Sequence, residues 1–223
     1  MTAAIGLFQR LALPEPWAPA SISRDIPLVI YGASSAVGIY ALQLALRSNI
    51  HPLICVAGRA KDYVEGFIDR SKGDAIVDYR DGDEAVVKGI KAALNGRPLY
   101  HALDAVSEGT SAANLAQVLS ADDGKAKVTF VLPTAMGGKD IPEGVEQTTT
   151  QVGDAHGDAQ DFAFAYFRYM ARGLQEGWFK GQRVEVVPGG LGGIEGALKN
   201  LKEGKASAVK YVFRIAETEG VSN

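Results

Sequence analysis

The chain has 223 residues, 47% of them apolar, a formal net charge of -3 and a single cysteine. This suits one large α/β domain and excludes a disordered chain, and charge spread without long blocks excludes a nucleic-acid surface. One Cys and three His are too few for a zinc site of the usual kinds; no apolar run spans a membrane and no signal peptide is evident, so a cytoplasmic location and no membrane partner are expected.

The chain opens with a helix over Thr2 to Leu13, apolar at Ala3, Ala4, Ile5, Leu7, Phe8 and Leu11. Pro14, Pro16 and Pro19 forbid its continuation, so 1–25 reads as a helix and a stiff connector. The first strand covers 26–32 and a helix covers 35–48. Between them runs Leu28-Val29-Ile30-Tyr31-Gly32-Ala33-Ser34-Ser35-Ala36-Val37-Gly38: an apolar β-branched run, a glycine, small residues and the start of a helical pattern. Small side chains there let a phosphate approach the backbone, and the amides and dipole of the helix start favour an anion. This is the layout of a dinucleotide site after a first parallel strand. Read as G-x-G-x-x-G, the three positions fall on Ala33, Ser35 and Gly38, of which only the last is glycine. A purely structural turn therefore stands beside the dinucleotide reading.

Strand two is Leu53 to Ala57, with Cys55 a buried thiol, and a helix covers about 60–70. Strand three is 75–79, a helix follows at 83–94, and strand four is Tyr100 to Val106. A helix spans 112–119, and strand five, Lys127 to Leu132, is stopped by Pro133. The alternation predicts an α/β fold, a Rossmann-type doubly wound parallel sheet. Residues 134–158, rich in Gly, Thr, Asp and Pro, read as a long loop. Asp161 to Glu176 is an aromatic helix, expected to be an ordinary buried one. A strand at Val184 to Val187, a helix at Ile194 to Leu201 and a strand at Val209 to Ile215 follow.

NAD sites of this fold carry Asp or Glu at the tip of strand two, where it accepts from the ribose 2′-hydroxyl. Here the tip reads Val56-Ala57-Gly58-Arg59-Ala60-Lys61, two cations and no acid. A 2′-phosphate attracts a guanidinium, so NADP(H) fits better than NAD, weighed against Arg59 and Lys61 as a mere solvated helix start. The catalytic residues stay unassigned: Asp104 reads as a structural strand-end carboxylate, and His51, His101 and His156 stand isolated.

Thr2-Ala3-Ala4-Ile5-Gly6-Leu7-Phe8, the Leu28–Gly38 stretch, Gly73-Asp74-Ala75-Ile76-Val77-Asp78-Tyr79-Arg80, Ala102-Leu103-Asp104-Ala105-Val106 and Gly204-Lys205-Ala206-Ser207-Ala208-Val209-Lys210-Tyr211-Val212 together resemble the zinc-independent medium-chain dehydrogenases/reductases. The branch they resemble is the quinone-oxidoreductase-like and fungal trans-acting enoyl reductases. The resemblance runs over essentially the whole chain and rests on the order and spacing of these stretches. It implies that Ser34, Ser35, Ala36 and Val37 hold the NADPH phosphates. It implies that Ala57, Gly58, Arg59, Ala60 and Tyr79 hold the 2′-phosphate. Leu132, with Pro133, would lie by the nicotinamide, Ala206 and Ser207 would return to the cofactor, and Thr2 would line the substrate pocket. No metal is implied.

Members of that family place a GroES-like barrel of on the order of 120–150 residues before the first helix. The chain therefore reads as a single NADP(H)-binding domain over 1–223, with 191–223 as a tail that returns to the missing barrel. The expected function is an NADPH-dependent enoyl (C=C) reductase or quinone-oxidoreductase-like protein of secondary metabolism, acting on a small molecule such as an enoyl thioester or quinone. The alternatives are a non-redox binding module and a repurposed catalyst that holds a polyketide-like ligand in the old cofactor cleft. The apolar side chains of 2–13 and 191–215, left without the barrel, predict a homodimer or docking to a synthase.

Overall fold

The computed structural model describes residues 1–21, 25–133 and 141–221. Parts of the expected connector (22–24) and of the long loop (134–140) lie outside them. The chain divides into two compact units, Met1–Phe179 and Lys180–Asn223.

In the first unit six parallel strands form one sheet, β1 (Leu28–Tyr31), β2 (Leu53–Ala57), β3 (Ala75–Asp78), β4 (His101–Asp104), β5 (Lys127–Phe130) and β6 (Glu146–Thr149), in the order β3-β2-β1-β4-β5-β6. This is the doubly wound arrangement, with the chain reversing its direction of travel across the sheet between β1 and β4. β1 and β2 are buried at every position, as near-continuous apolar runs must be when helices cover both faces. Leu28, Ile30, Leu53 and Cys55 point to one face and Val29, Tyr31, Ile54 and Val56 to the other.

On the first face lie α1 (Thr2–Ala4), which continues as a π-helix over Ile5–Arg10, α2 (Ala36–Arg47) and α6 (Gln160–Glu176). The opening helix is sunk into this face. A Cβ at Gly6 would meet Leu103 Cδ1 at 2.7 Å and Thr150 Cγ2 at 3.3 Å, so only glycine lets it lie so close to β4 and the end of β6. Ile5, Leu7, Phe8 and Leu11 are all buried within the unit. The expectation that this helix offers its apolar surface to an absent barrel is therefore corrected. α6 buries one face, with Tyr166 stacked on Phe162 at 4.1 Å and on Phe8 at 5.2 Å. Its other face leaves Phe164, Phe167 and Leu174 exposed, so it is not buried all round.

α4 (Asp83–Leu94) and α5 (Ser111–Ala116) cover the second face through Val86, Val87, Ile90, Leu94 and Leu115. α3 (Lys61–Glu65) is shorter than expected: the chain leaves it at Gly66, and Asp69 caps a 3-10 turn over Arg70–Lys72 instead. β6 is a strand inside the stretch read as loop. Its residues Glu146, Gln147, Thr148 and Thr149 carry no apolar signal because it pairs on one side only, with β5, and its side chains stay partly exposed.

The second unit holds β7 (Arg183–Val187) and β8 (Val209–Phe213), a parallel pair joined through α7 (Ile194–Lys202). A Cβ at Gly193 would meet Val187 Cγ1 at 2.8 Å and Phe213 Cδ1 at 3.7 Å, which puts the α7 crossover on the face that carries Val187 and Phe213. The other face of the pair carries Val184, Val186 and Val212, and Val184 is 63% exposed.

Candidate functional site

The carboxyl ends of β1, β2, β3, β4 and β5 share one edge of the sheet, with Tyr31 beside Val56 and Asp104, and Ala57 beside Asp78. In an open parallel sheet a ligand sits outside this edge, at the point where strand order reverses. The turn after β1 is built there. Gly32 adopts φ 76°, which a residue with a Cβ rarely does. Ser35 caps α2, its Oγ accepting from the Gly38 amide at 3.0 Å. Gly38 brings α2 against the strand end, since a Cβ there would lie 2.2 Å from the Gly32 carbonyl oxygen and 2.7 Å from Ala33 Cα.

The turn thus has its two essential glycines at Gly32 and Gly38. Read as a fingerprint, the first position is filled by Ala33, which is buried; Gly32, one residue earlier, makes the bend. Ser34, Ser35, Ala36 and Val37 are half-buried around the mouth of α2. The first-turn amides of Ala36 and Val37 have no intrahelical acceptor, and no acidic residue stands in that turn. The small walls, the orphan amides and the positive helix end together suit a pyrophosphate.

Beyond β2, Ala57, Gly58 and Ala60 are buried and Arg59 is exposed. A Cβ at Gly58 would come within 2.5 Å of the Tyr79 ring, so Tyr79 packs directly on this glycine while half its surface faces solvent. The acid of this corner is Asp78, at the end of β3. Arg80 grips it with Nε at 2.8 Å and with a second nitrogen at 2.5 Å, and Lys61 Nζ stands 3.8 Å away. Hydrogen bonds from Arg80 hold the Asp78 carboxyl down to about 2. Both of its oxygens are engaged, and the corner around Gly58 gathers the cations Arg59, Lys61 and Arg80. The Asp78–Arg80 pair leaves one local signal in the sequence, the Asp-Tyr-Arg spacing.

Asp104 is buried and accepts from the amides of Val106 and Ser107 and from Ser111 Oγ at 2.6 Å. Burial pushes its pKa up, against those hydrogen bonds. Ser107 in turn donates to the Asp104 carbonyl and accepts from Val131 N, so the group fastens β4 to β5 and to α5. Its oxygens are spent on the fold, in line with a structural carboxylate.

Leu132 is exposed just beyond β5. Thr2 is half-buried, its carbonyl accepting from Thr150 Oγ1 at 3.2 Å past the end of β6. Ala206 and Ser207 belong to the second unit, in the loop before β8. His51, read as isolated, is not: it lies between Asp74 and Lys72. Among the described residues no cluster of three or more His, Cys, Asp or Glu side chains could hold a metal ion, and no helix is long and apolar enough to cross a membrane.

No family model matches the sequence. The chain is 51% identical over 188 residues to the trans-enoyl reductase fsr4 of Gibberella fujikuroi, a match that covers 84% of this chain and 55% of that protein. It is 30% identical over 240 residues to the trans-enoyl reductase resD of Aspergillus sclerotiorum, covering 94% and 63%. The chain thus spans little more than half the length of these curated relatives. Among solved structures, the CurK enoyl reductase superposes with a TM-score of 0.67 at 13% identity, over 95% of this chain and 59% of that one. CurA of Vibrio vulnificus, solved in complex with NADPH, superposes with a TM-score of 0.64 at 20% identity, over 94% and 60%. At such identities the structural likeness establishes the fold alone.

Proposed function

We propose that this chain is a trans-enoyl reductase of the medium-chain dehydrogenase/reductase type, and specifically the part of such a reductase that binds NADP(H) and presents it to an enoyl substrate. The observation that carries the reading is the start of α2, where Gly32 and Gly38 bring open amides to the switch point of the sheet. Bound there, NADPH supplies hydride for an activated C=C bond. In this reading the amides of Ala36 and Val37 hold the pyrophosphate, with Ser34 and Ser35 small enough to admit it. Arg59 and Lys61 take the 2′-phosphate, and Tyr79 walls that corner over Gly58. Leu132 lies by the nicotinamide, and Thr2 lines the substrate pocket.

The substrate class that fits is an enoyl thioester or a quinone delivered by a synthase. A non-redox binding role for the same turn is the second reading. Mixing the chain with NADPH, watching nucleotide fluorescence and then adding an enone separates the two. Binding with oxidation supports the reductase; binding without it supports the module; no binding removes both.

NADPH is expected to bind more tightly than NADH, because the carboxylate at the end of β3, Asp78, is already gripped by Arg80. Removing one charge-assisted contact with Arg59→Ala should weaken NADPH by about tenfold and leave NADH nearly unchanged. Parallel titrations of both nucleotides test this, and equal affinities in the native chain would sink it.

The open face of β7 and β8 is proposed to be covered by a second copy of the chain or by a synthase. A two-stranded sheet is marginal by itself, and Val184, Val186 and Val212 share its open face. Val212→Lys should then shift any dimer toward monomer in light scattering. A native chain that stays monomeric at high concentration, with β8 amides well protected in hydrogen exchange, would speak against it.

A further inference from the structure

At the amino-terminal edge of the sheet, opposite the nucleotide turn, a cleft of about 610 Å³ is lined in part by Asn49, His51, Arg70, Lys72 and Arg97. Its chemistry converges on one lysine. The Asp74 side chain is fully buried and accepts from the Leu53 amide at 2.7 Å and the Asp69 amide at 2.9 Å, which fix it in place. Its Oδ1 also lies 2.8 Å from His51 Nδ1. A carboxylate there takes the hydrogen of Nδ1, and in the neutral ring Nε2 is then the nitrogen with the lone pair. That lone pair faces Lys72 Nζ at 3.3 Å, and the ammonium donates as well to Asn49 Oδ1 at 3.1 Å. Lys72 itself is exposed to the cleft. A nucleophile, a base within reach and a buried group that orients the base form the arrangement by which proteins activate a weak nucleophile.

We propose that Lys72 is an acyl-acceptor site that takes the acyl group of acyl thioesters, with His51 as its base and Asp74 as the residue that positions His51. Lys72 Nζ gives one proton to His51 Nε2, and the imidazolium so formed is paired with the Asp74 carboxylate. The free amine attacks the thioester carbonyl carbon; the C–N bond forms and the C–S bond breaks. The proton on His51 goes to the departing thiolate, a second proton leaves Nζ for solvent, and the products are an amide and a thiol. No electrons are exchanged. The acylated side chain keeps a single N–H and loses its charge. This site stands apart from the reductase reading, since its residues lie at the opposite edge of the sheet and its test needs no nucleotide.

The test is to incubate the full chain with S-acetyl-N-acetylcysteamine and follow acetylation of each lysine by peptide mass spectrometry. Lys88 and Lys91, exposed on α4, serve as internal references. Acetylation of Lys72 is expected to run on the order of 100-fold faster than at either reference, the lower end of what a positioned base contributes. His51→Asn should remove that preference without accelerating the references. If the variant unfolds, all lysines will react alike, and the native chain's selectivity then decides alone. Equal rates at Lys72, Lys88 and Lys91 in the native chain, or an undiminished preference in a folded His51→Asn variant, overturn the proposal and leave the three residues as a tie between the start of β2 and the turn before β3.

Discussion

Gly38→Ala is expected to destabilise the protein by about 2–3 kcal/mol and to abolish nucleotide binding, a large effect for one added methyl group. The atoms in its way are the Gly32 carbonyl oxygen at 2.2 Å, Ala33 Cα at 2.7 Å and the Gly32 carbonyl carbon at 2.9 Å. All are backbone. No side chain can rotate aside, so α2 must lift from the end of β1. Ala41, Leu42, Leu44 and Ala45, fully buried against the first face, would lose contact as it moves. Lifting also withdraws the Ala36 and Val37 amides from the anion position. Chemical denaturation and an NADPH titration check both parts. An alanine variant with an unchanged midpoint would mean that α2 and β1 are less closely joined than these distances say.

Ser35→Leu should also abolish binding, by placing a branched side chain at the mouth of α2 where Ser34, Ser35, Ala36 and Val37 leave room for a phosphate. A surface position would tolerate the change, but Ser35 is the N-cap of α2, with its Oγ on the Gly38 amide. Loss of that cap should cost about 1 kcal/mol, so the melting temperature should fall as well. Ser35→Ala separates the two roles: it removes the cap but keeps the space, and should lose the same stability while retaining the nucleotide. If the leucine variant binds NADPH normally, the cofactor does not lie over this turn.

Much of this was open to reading along the chain. Leu28–Tyr31 and Leu53–Ala57 are apolar β-branched runs, each preceded by Pro and followed by Gly, and strands buried on both faces have few other ways to be written. Gly32, the small residues after it and Gly38 mark a strand-to-helix turn, because bending and close approach each depend on the lack of a Cβ at a single position. The absence of an acid at the tip of β2 is equally local.

What the pattern could not hold depends on partners far away in the chain. β6 has no apolar signature, and its pairing with β5 alone makes it a strand. The apolar face of the opening helix read as surface for a neighbouring domain, yet Gly6 lets it sink onto Leu103, Thr129 and Thr150 within its own unit. His51 looked solitary until folding set Asp74 on one of its nitrogens and Lys72 on the other, more than 20 residues away in each case. The sequence by itself determined where most of the strands and helices and the strand-to-helix turn after β1 lie, since periodicity and missing side chains act over a few residues. Only the tertiary structure decided which polar groups meet, because a hydrogen bond between distant residues is set by how the strands are ordered and leaves no periodic trace in either segment.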